Sequence, residues 1–550
     1  MNWKLFTRPS VFLIFIVLIA AILRFYQLGI NPPSLTWDEV AWGYNAYAVG
    51  IDGKDEFGHF LPYTSFISFG DYKPPMYAYL DVIPVWIFGL TELTTRFPSA
   101  FFGTLTVLFT YFLVKELFAD HEKKSNGKLN VTEIVALVSA LFLAISPWHI
   151  MLSRAAFEAN VASFFIVTGV WLFLLAIRKN QWLLVLSAIC FVLCIYTFNS
   201  TRVVAPLLLF SLAVGNIKRL WKIKSATITA CIVGLALLLP VVPFLLSPQA
   251  RLRYQEVNIF SNVDIIKTAN QEVINDNNAK WSKIIHNRRV VYTLDFLQHY
   301  FDNFNPNFLF ITGDQNPKFS TQDVGQMYIW DLPFLLMGTL FLFRKRVGKW
   351  WIIPIWLAIG IIPAAISLPT PHALRIEATI PTLQILTAYG FVTFILALKK
   401  YQKQTMYALL IMLFLFVGYY LHGYYTYYPT EFSAEWQYGY QNAIKFVKAH
   451  QQEYDAVDIS GMDRAYIYTL FYLQYPPQEF RQTAQVSTDV FGFVHVYGFG
   501  KYHFVDSPPA FPSKEKTLYI SGVSQVPKKA HVLETFRVLD GTPELVAFTR

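Results

Sequence analysis

The sequence is short of charge. Only 15% of its 550 residues are Asp, Glu, Lys or Arg and 54% are hydrophobic, where a soluble domain carries about 25% charged residues. Its apolar runs approach the roughly 20 residues that cross a bilayer, so a polytopic membrane protein is expected. Cysteine is scarce as well. Cys190, Cys194 and Cys231 all lie inside apolar runs, which leaves no disulfide framework for the polar segments. The four-residue spacing of Cys190 and Cys194 reads as packing within one helix rather than metal binding. There is no HExxH, no paired CxxC and no DxD in the outer loops, so no metal and no cofactor is expected. Internal repeats and low-complexity tracts are missing too. The net charge of +9 does not argue for nucleic acid as a partner, because the basic residues sit in short loops between apolar runs, where they report topology.

What is present is a set of about eleven candidate spans, near residues 9–28, 96–117, 132–151, 158–177, 181–198, 203–217, 226–246, 327–343, 350–368, 376–398 and 405–423. Lys4/Arg8, Lys115/Lys123/Lys124/Lys128, Arg178/Lys179, Lys218/Arg219/Lys222/Lys224, Arg344/Lys345/Arg346/Lys349 and Lys399/Lys400/Lys403 then fall on one side. The positive-inside rule makes that side, and the N-terminus, cytoplasmic. The first apolar run has no small-residue cleavage site after it and is expected to stay uncleaved.

The opposite side receives a first loop at 29–95, the turns at 146–149, 199–202 and 369–375, a long loop at 248–326, and the tail. Residues 77–90 and the aromatic-rich 40–50 segment are expected to lie in the interface, since a further span there would reverse the later basic clusters. The fold class is therefore mostly α: a membrane module over 1–423 and a small extracytoplasmic α/β or α+β domain over 424–550. In that tail, 437–450 has a helical period, and Ala456–Ile459, Ala465–Leu473, 517–520 and 545–548 read as strands. Nothing there resembles a phosphate loop, a nucleophile elbow or a metal site.

The groups fit for chemistry gather on the outer side. Trp37-Asp38-Glu39 follows the first span, and Gly70-Asp71-Tyr72-Lys73-Pro74-Pro75 follows that. Adjacent carboxylates point in different directions, so a single one would be the general base for an acceptor hydroxyl; the alternative is that Asp38 caps the helix beginning near Val40. Lys73, stiffened by the two prolines, suits a phosphate oxygen; the alternative is snorkelling toward headgroups. Arg154, Arg202, His372 and Arg375 occupy further outer turns, Arg154 with Glu158 as its expected ion-pair partner. Arg375 stands at the mouth of a span as an anion ligand. His286, Arg288 and Arg289 read as a solvated face or as acceptor contacts.

These strings resemble the multi-span GT-C glycosyltransferases of the protein O-mannosyltransferase type, a group that includes the bacterial lipid A aminoarabinose transferases. Asp38-Glu39, the 70–75 string and Arg96-Phe97-Pro98-Ser99-Ala100 carry the match, with Ser146-Pro147-Trp148-His149, Ser153-Arg154 and the 370–375 turn as weaker pieces. The resemblance covers about residues 1–400. It implies inverting transfer of a sugar from a polyprenyl-phosphate donor to an acceptor hydroxyl, outside the cytoplasmic membrane and without metal, with Asp38 as the catalytic residue. The expected substrate-binding residues are Glu39, Asp71, Tyr72, Lys73, Arg154, Arg202, His372 and Arg375. The expected partners are the lipid-linked donor, a lipid, glycan or protein acceptor, and the bilayer. The tail lacks the β-trefoil pattern of eukaryotic protein mannosyltransferases, which weighs against protein as the acceptor. A transporter or lipid flippase is the alternative from another class, but it needs ionisable groups near mid-membrane, whereas here they sit at outer ends. A lipid-linked glycan ligase or polymerase shares the donor type.

Overall fold

The computed structural model describes residues 9–119, 130–250, 258–489, 494–508 and 515–550. Lys4, Arg8, Lys123, Lys124 and Lys128 of the basic clusters lie outside the described residues, as does the side chain of Lys399. Helix occupies each of the apolar stretches: Pro9–Phe25, Glu92–Leu117, Val131–Ala144, Glu158–Arg178, Leu183–Ile195, Thr201–Gly215, Lys224–Leu238, Asp331–Lys345, Ile352–Ala365, Thr382–Ala397 and Gln402–Thr426. Among the described residues, four helices are long and apolar enough to cross a membrane by length and composition, and the others are shorter.

The stretch expected to span at 132–151 is not one straight helix. Val131–Ala144 and Pro147–Ser153 meet at a 57° bend. Pro147 has no N–H to give to the preceding turn, and its fixed φ suits the first position of a new helix.

The chain divides into two units, one holding residues 1–23, 102–151 and 159–417, the other 24–101, 152–158 and 418–550. In the first unit, Glu158–Arg178 is apolar and 83% of its span window is buried, while the window of Lys224–Leu246 is only 11% buried. An apolar helix left uncovered over that length is matched to hydrocarbon rather than to water. Asp331–Lys345 and Thr382–Ala397 come together at Gly338 and Gly390, where a Cβ on either would run into the facing carbonyl of Leu386 or Phe334. Small residues of this kind let apolar helices approach closely when water provides no drive.

The second unit joins the first loop to the tail, a division that differs from the expected boundary at 423/424. Leu35, Val40, Ala41, Tyr44, Val85 and Leu90 share one buried cluster with Ile444, Val457, Ile467, Leu470, Phe480, Leu518 and Leu545. Its strands are β1 (Phe66–Ser68), β2 (Asp71–Lys73), β3 (Ala456–Ile459), β4 (Gln485–Thr488), β5 (Val494–Phe499), β6 (Tyr502–Phe504), β7 (Thr517–Gly522), β8 (His531–Arg537) and β9 (Pro543–Thr549). The last seven form one sheet in the order β4-β5-β6-β3-β7-β9-β8, with β3 parallel to both β6 and β7 and the other pairs antiparallel. Helix Tyr438–His450 and strands β3, β7 and β9 match the expectation for the tail. Ala465–Leu473 does not: it is a helix. A nine-residue apolar run reads equally well as strand or helix by periodicity. Here eight of its nine residues are buried, so no polar face marked the helical period.

The segment expected at the interface is the helix Met76–Phe88, which buries Asp81 and Tyr77 while Ile83, Trp86, Ile87 and Phe88 stay exposed. That apolar outer face is what a lipid surface would cover.

Candidate active site

Helix Trp37–Asp52 begins in a capping box. The Thr36 hydroxyl accepts from Glu39 N, and the Glu39 carboxylate accepts from Thr36 N at 2.9 Å. Both orphan donors of the first turn are thereby satisfied. Thr36, not Asp38, is therefore the cap.

Glu39 faces inward. It is fully buried and accepts from Arg96 Nε at 2.8 Å, Arg96 Nη2 at 3.3 Å, Ala156 N at 3.0 Å and Thr36 N. Arg96, also fully buried, gives its remaining donors to the carbonyls of Leu28, Pro32 and Ser34. A buried carboxylate closed by four protein donors has no capacity left for substrate, so the expectation for Glu39 is corrected to a structural one. Arg154 is corrected in the same way. It is fully buried, donates to Tyr424 Oη, Arg24 O and Asn31 O at 3.1, 3.3 and 2.8 Å, and lies 5.3 Å over the rings of Tyr424 and Tyr425.

Asp38 points the other way. Lys73 Nζ donates to Asp38 Oδ1, with the carboxylate side chain 47% exposed and the lysine 6%. Strands β1 and β2 form a hairpin that sets Lys73 opposite Phe66, with Phe69 and Gly70 at positive φ in its turn. The ammonium is roofed by Trp42 at 5.0 Å and Phe69 at 4.6 Å. Burial of a lysine under two ring faces is tolerable because the rings and the carboxylate replace part of its hydration. Asp71 and Tyr72 lie half-buried on the same strand. Glu158 was expected to pair with Arg154, but it lies instead within electrostatic range of Lys73, Asp38 and Asp71. Glu158 thus shares the field of Lys73 with Asp38 and Asp71.

The hairpin is braced from beneath. Glu56, fully buried, accepts from Ser68 Oγ at 2.9 Å, Tyr466 Oη at 3.0 Å and Asn45 Nδ2 at 3.2 Å, and Phe69 N donates to Tyr466 Oη at 2.7 Å. Burial pushes the Glu56 carboxyl up to about 8, despite these hydrogen bonds. Arg464, in left-handed backbone at φ 55° ahead of helix Ala465–Leu473, stacks on Trp37 at 4.5 Å and Phe69 at 4.3 Å. Neither the Glu56 brace nor Arg464 was read from sequence. The only available signal was the aromatic residues flanking Asp38 and Lys73.

Arg202, His372 and Arg375 belong to the other unit. Arg202 opens helix Thr201–Gly215 with its guanidinium 5.8 Å over Phe244. His372 lies against Phe319 and 3.9 Å from Asp314, and Arg375 Nη1 donates to Pro369 O at 3.1 Å. Asp314 accepts from Ala373 N at 2.7 Å and from Asn316 N at 2.8 Å. Burial pushes its carboxyl up to about 6.

Comparison with known proteins bears on the fold. Residues 72–244 match the family described as dolichyl-phosphate-mannose-protein mannosyltransferase. ArnT from Cupriavidus metallidurans superposes over 98% of both chains with a TM-score of 0.52 at 12% identity. Its form bound to undecaprenyl phosphate does so over 97% of both, again at 0.52 and 12%. The chain has the GT-C fold. Among curated proteins, an uncharacterized protein of Aquifex aeolicus is 30% identical over 210 residues, 37% of this chain and 38% of that protein. The putative mannosyltransferase YkcB of Bacillus subtilis is 26% identical over 183 residues, 32% of this chain and 22% of that protein. Both alignments span well under two thirds of the relative's length.

Proposed function

We propose that this protein is a membrane glycosyltransferase that moves a sugar from a polyprenyl-phosphate donor to an acceptor hydroxyl with inversion, on the outer face of the cytoplasmic membrane. The observation that carries the reading is the pair of Asp38, half exposed, and Lys73, buried beneath Trp42 and Phe69. A GT-C fold and a neighbour whose structure holds undecaprenyl phosphate support it.

The chemistry follows from the pair. While Lys73 holds Asp38, the ion pair engages one of the carboxylate oxygens that would take the proton. A donor phosphate that draws the ammonium to itself releases Asp38 to accept the acceptor's proton. The acceptor oxygen then attacks the anomeric carbon, the bond from that carbon to the phosphate oxygen breaks, and the electron pair leaves on polyprenyl phosphate. Lys73 balances the charge that appears there. Asp71, Tyr72 and Glu158 line the same hairpin and field, and serve to position donor and acceptor. Arg202, His372 and Arg375 are proposed as further anion ligands on their chemistry alone.

The test is to incubate the full-length protein in detergent or nanodiscs with a panel of polyprenyl-phosphate sugars and to measure release of the lipid monophosphate. Release from at least one donor that disappears in Asp38→Asn, with donor binding retained, is expected. Turnover by Asp38→Asn at the wild-type rate would rule out the base.

A further inference from the structure

Phe69 serves two cations at once. Lys73 Nζ lies 4.6 Å over its ring and Arg464 Cζ lies 4.3 Å from it, while Arg464 also stacks on Trp37, the residue before Asp38. The two cations differ in their engagements. Lys73 is tied to Asp38, whereas the described contacts of Arg464 are ring faces. A guanidinium stacked on aromatic rings uses its π face and keeps the in-plane N–H fork for a ligand. Arg464 is half-buried rather than sealed, so that fork can be reached. Its position is also fixed. Asp463 N donates to Tyr440 Oη at 3.2 Å, and Tyr466, two residues on, bonds both Phe69 N and Glu56. The arginine and the aromatic turn are therefore tethered to one framework.

Two cations on one ring repel each other. The carboxylates of Asp38, Asp71 and Glu158 stand in the field of Lys73, whereas the described contacts of Arg464 are ring faces, so an anion with several oxygens fits beside its guanidinium. We propose that Arg464, contributed by the tail, is a phosphate ligand of this site and holds the polyprenyl-linked phosphate by its planar fork while Lys73 neutralises it as a point charge. The assignment rests on the donor reading given above. It gives the tail a part in donor recognition and explains why the tail shares a core with the first loop. The phosphate can be that of the intact donor, a diester, or that of the released carrier, a monoester, and the two are separable by assay.

The experiment compares wild type, Arg464→Gln and Arg464→Lys as full-length protein. Three quantities are measured: the Kd for a polyprenyl monophosphate, the donor and acceptor KM values, and Tm. Arg464→Gln is expected to weaken a charge-assisted phosphate contact by about tenfold or more, seen in donor KM and in monophosphate Kd, with acceptor KM and Tm near wild type. Arg464→Lys, which keeps the charge but not the fork, should recover part of the loss. A rise in donor KM alone assigns the contact to the diester, and a rise in monophosphate Kd alone assigns it to the leaving carrier. Active wild type with unchanged donor KM and monophosphate Kd in Arg464→Gln would overturn the assignment alone, as would a loss confined to Tm or acceptor KM. A wild type that neither binds the monophosphate nor consumes any donor would overturn the donor reading, and this assignment with it.

Discussion

Two regions of this protein set a carboxylate beside a basic side chain, and they do so in opposite ways. In the unit holding the first loop, the cation is buried and the carboxylate reaches solvent: Lys73 is 6% exposed and Asp38 47%. In the other unit the carboxylate is the buried partner. Asp314 is 5% exposed and His372 12%, and the Asp314 oxygens are occupied by the backbone N–H groups of Ala373 and Asn316. A carboxylate saturated by backbone donors braces a turn, whereas one that faces water and pairs with a lysine can take part in proton transfer. The neighbours Asp38 and Glu39 repeat the lesson one residue apart, because the helix turns one outward and the other onto Arg96.

The sharpest way to break this contrast is to neutralise each carboxylate. Asp38→Asn is expected to lower transfer by about 10²–10⁴-fold, the range of a lost general base, with little change in Tm. Asp314→Asn is expected to leave the rate close to wild type and to lower stability by about 1 kcal/mol or somewhat more, as for a weakened buried hydrogen-bond site. Initial rates of lipid monophosphate release and thermal unfolding of the two variants decide it. Equal rate losses would erase the distinction.

Arg96→Gln should cost about 3–5 kcal/mol because it leaves Glu39 charged and buried, and thermal unfolding or yield of folded protein would show it. A Tm near wild type would mean that Glu39 is not sealed, and would return it to the pool of substrate ligands.

A further comparison concerns pH. The Glu56 carboxyl is raised by burial to about 8 in the folded chain, from an ordinary 4.5. The unfolded chain therefore loses this proton first as pH climbs. Stability from Glu56 is fully present below about 4.5, falls as pH rises toward about 8, and levels off beyond. Glu56→Gln keeps a neutral hydrogen-bonding side chain and should flatten that fall. Tm measured at intervals from about pH 5 to about pH 8.5 checks it. An unchanged slope in the variant would show that Glu56 is not the group responsible.

Much of this was legible beforehand. Helix formed in every apolar stretch because each can satisfy its own backbone hydrogen bonds within the segment. Asp38 and Lys73 could be singled out from the scarcity of charge around them, since an ionisable group beside long apolar runs needs a partner. The helix at Ala465–Leu473 was not legible as such. The run Ala-Tyr-Ile-Tyr-Thr-Leu-Phe-Tyr-Leu is rich in aromatic and branched residues that favour strands in isolation, and burial of nearly all of it removed the polar face that would have shown the helical period. The role of Arg96 was equally hidden, 57 residues from Glu39.

By itself, the sequence determined that apolar helices dominate and that a few charged groups stand between them, because hydrophobicity, helical period and charge placement are local properties of the chain. Only the tertiary structure decided which carboxylate is sealed by Arg96, which one shares Lys73, and that an arginine from the tail comes to the ring of Phe69. Those choices depend on which side chains lose their water and which neighbours then replace it, and chain order carries no record of that.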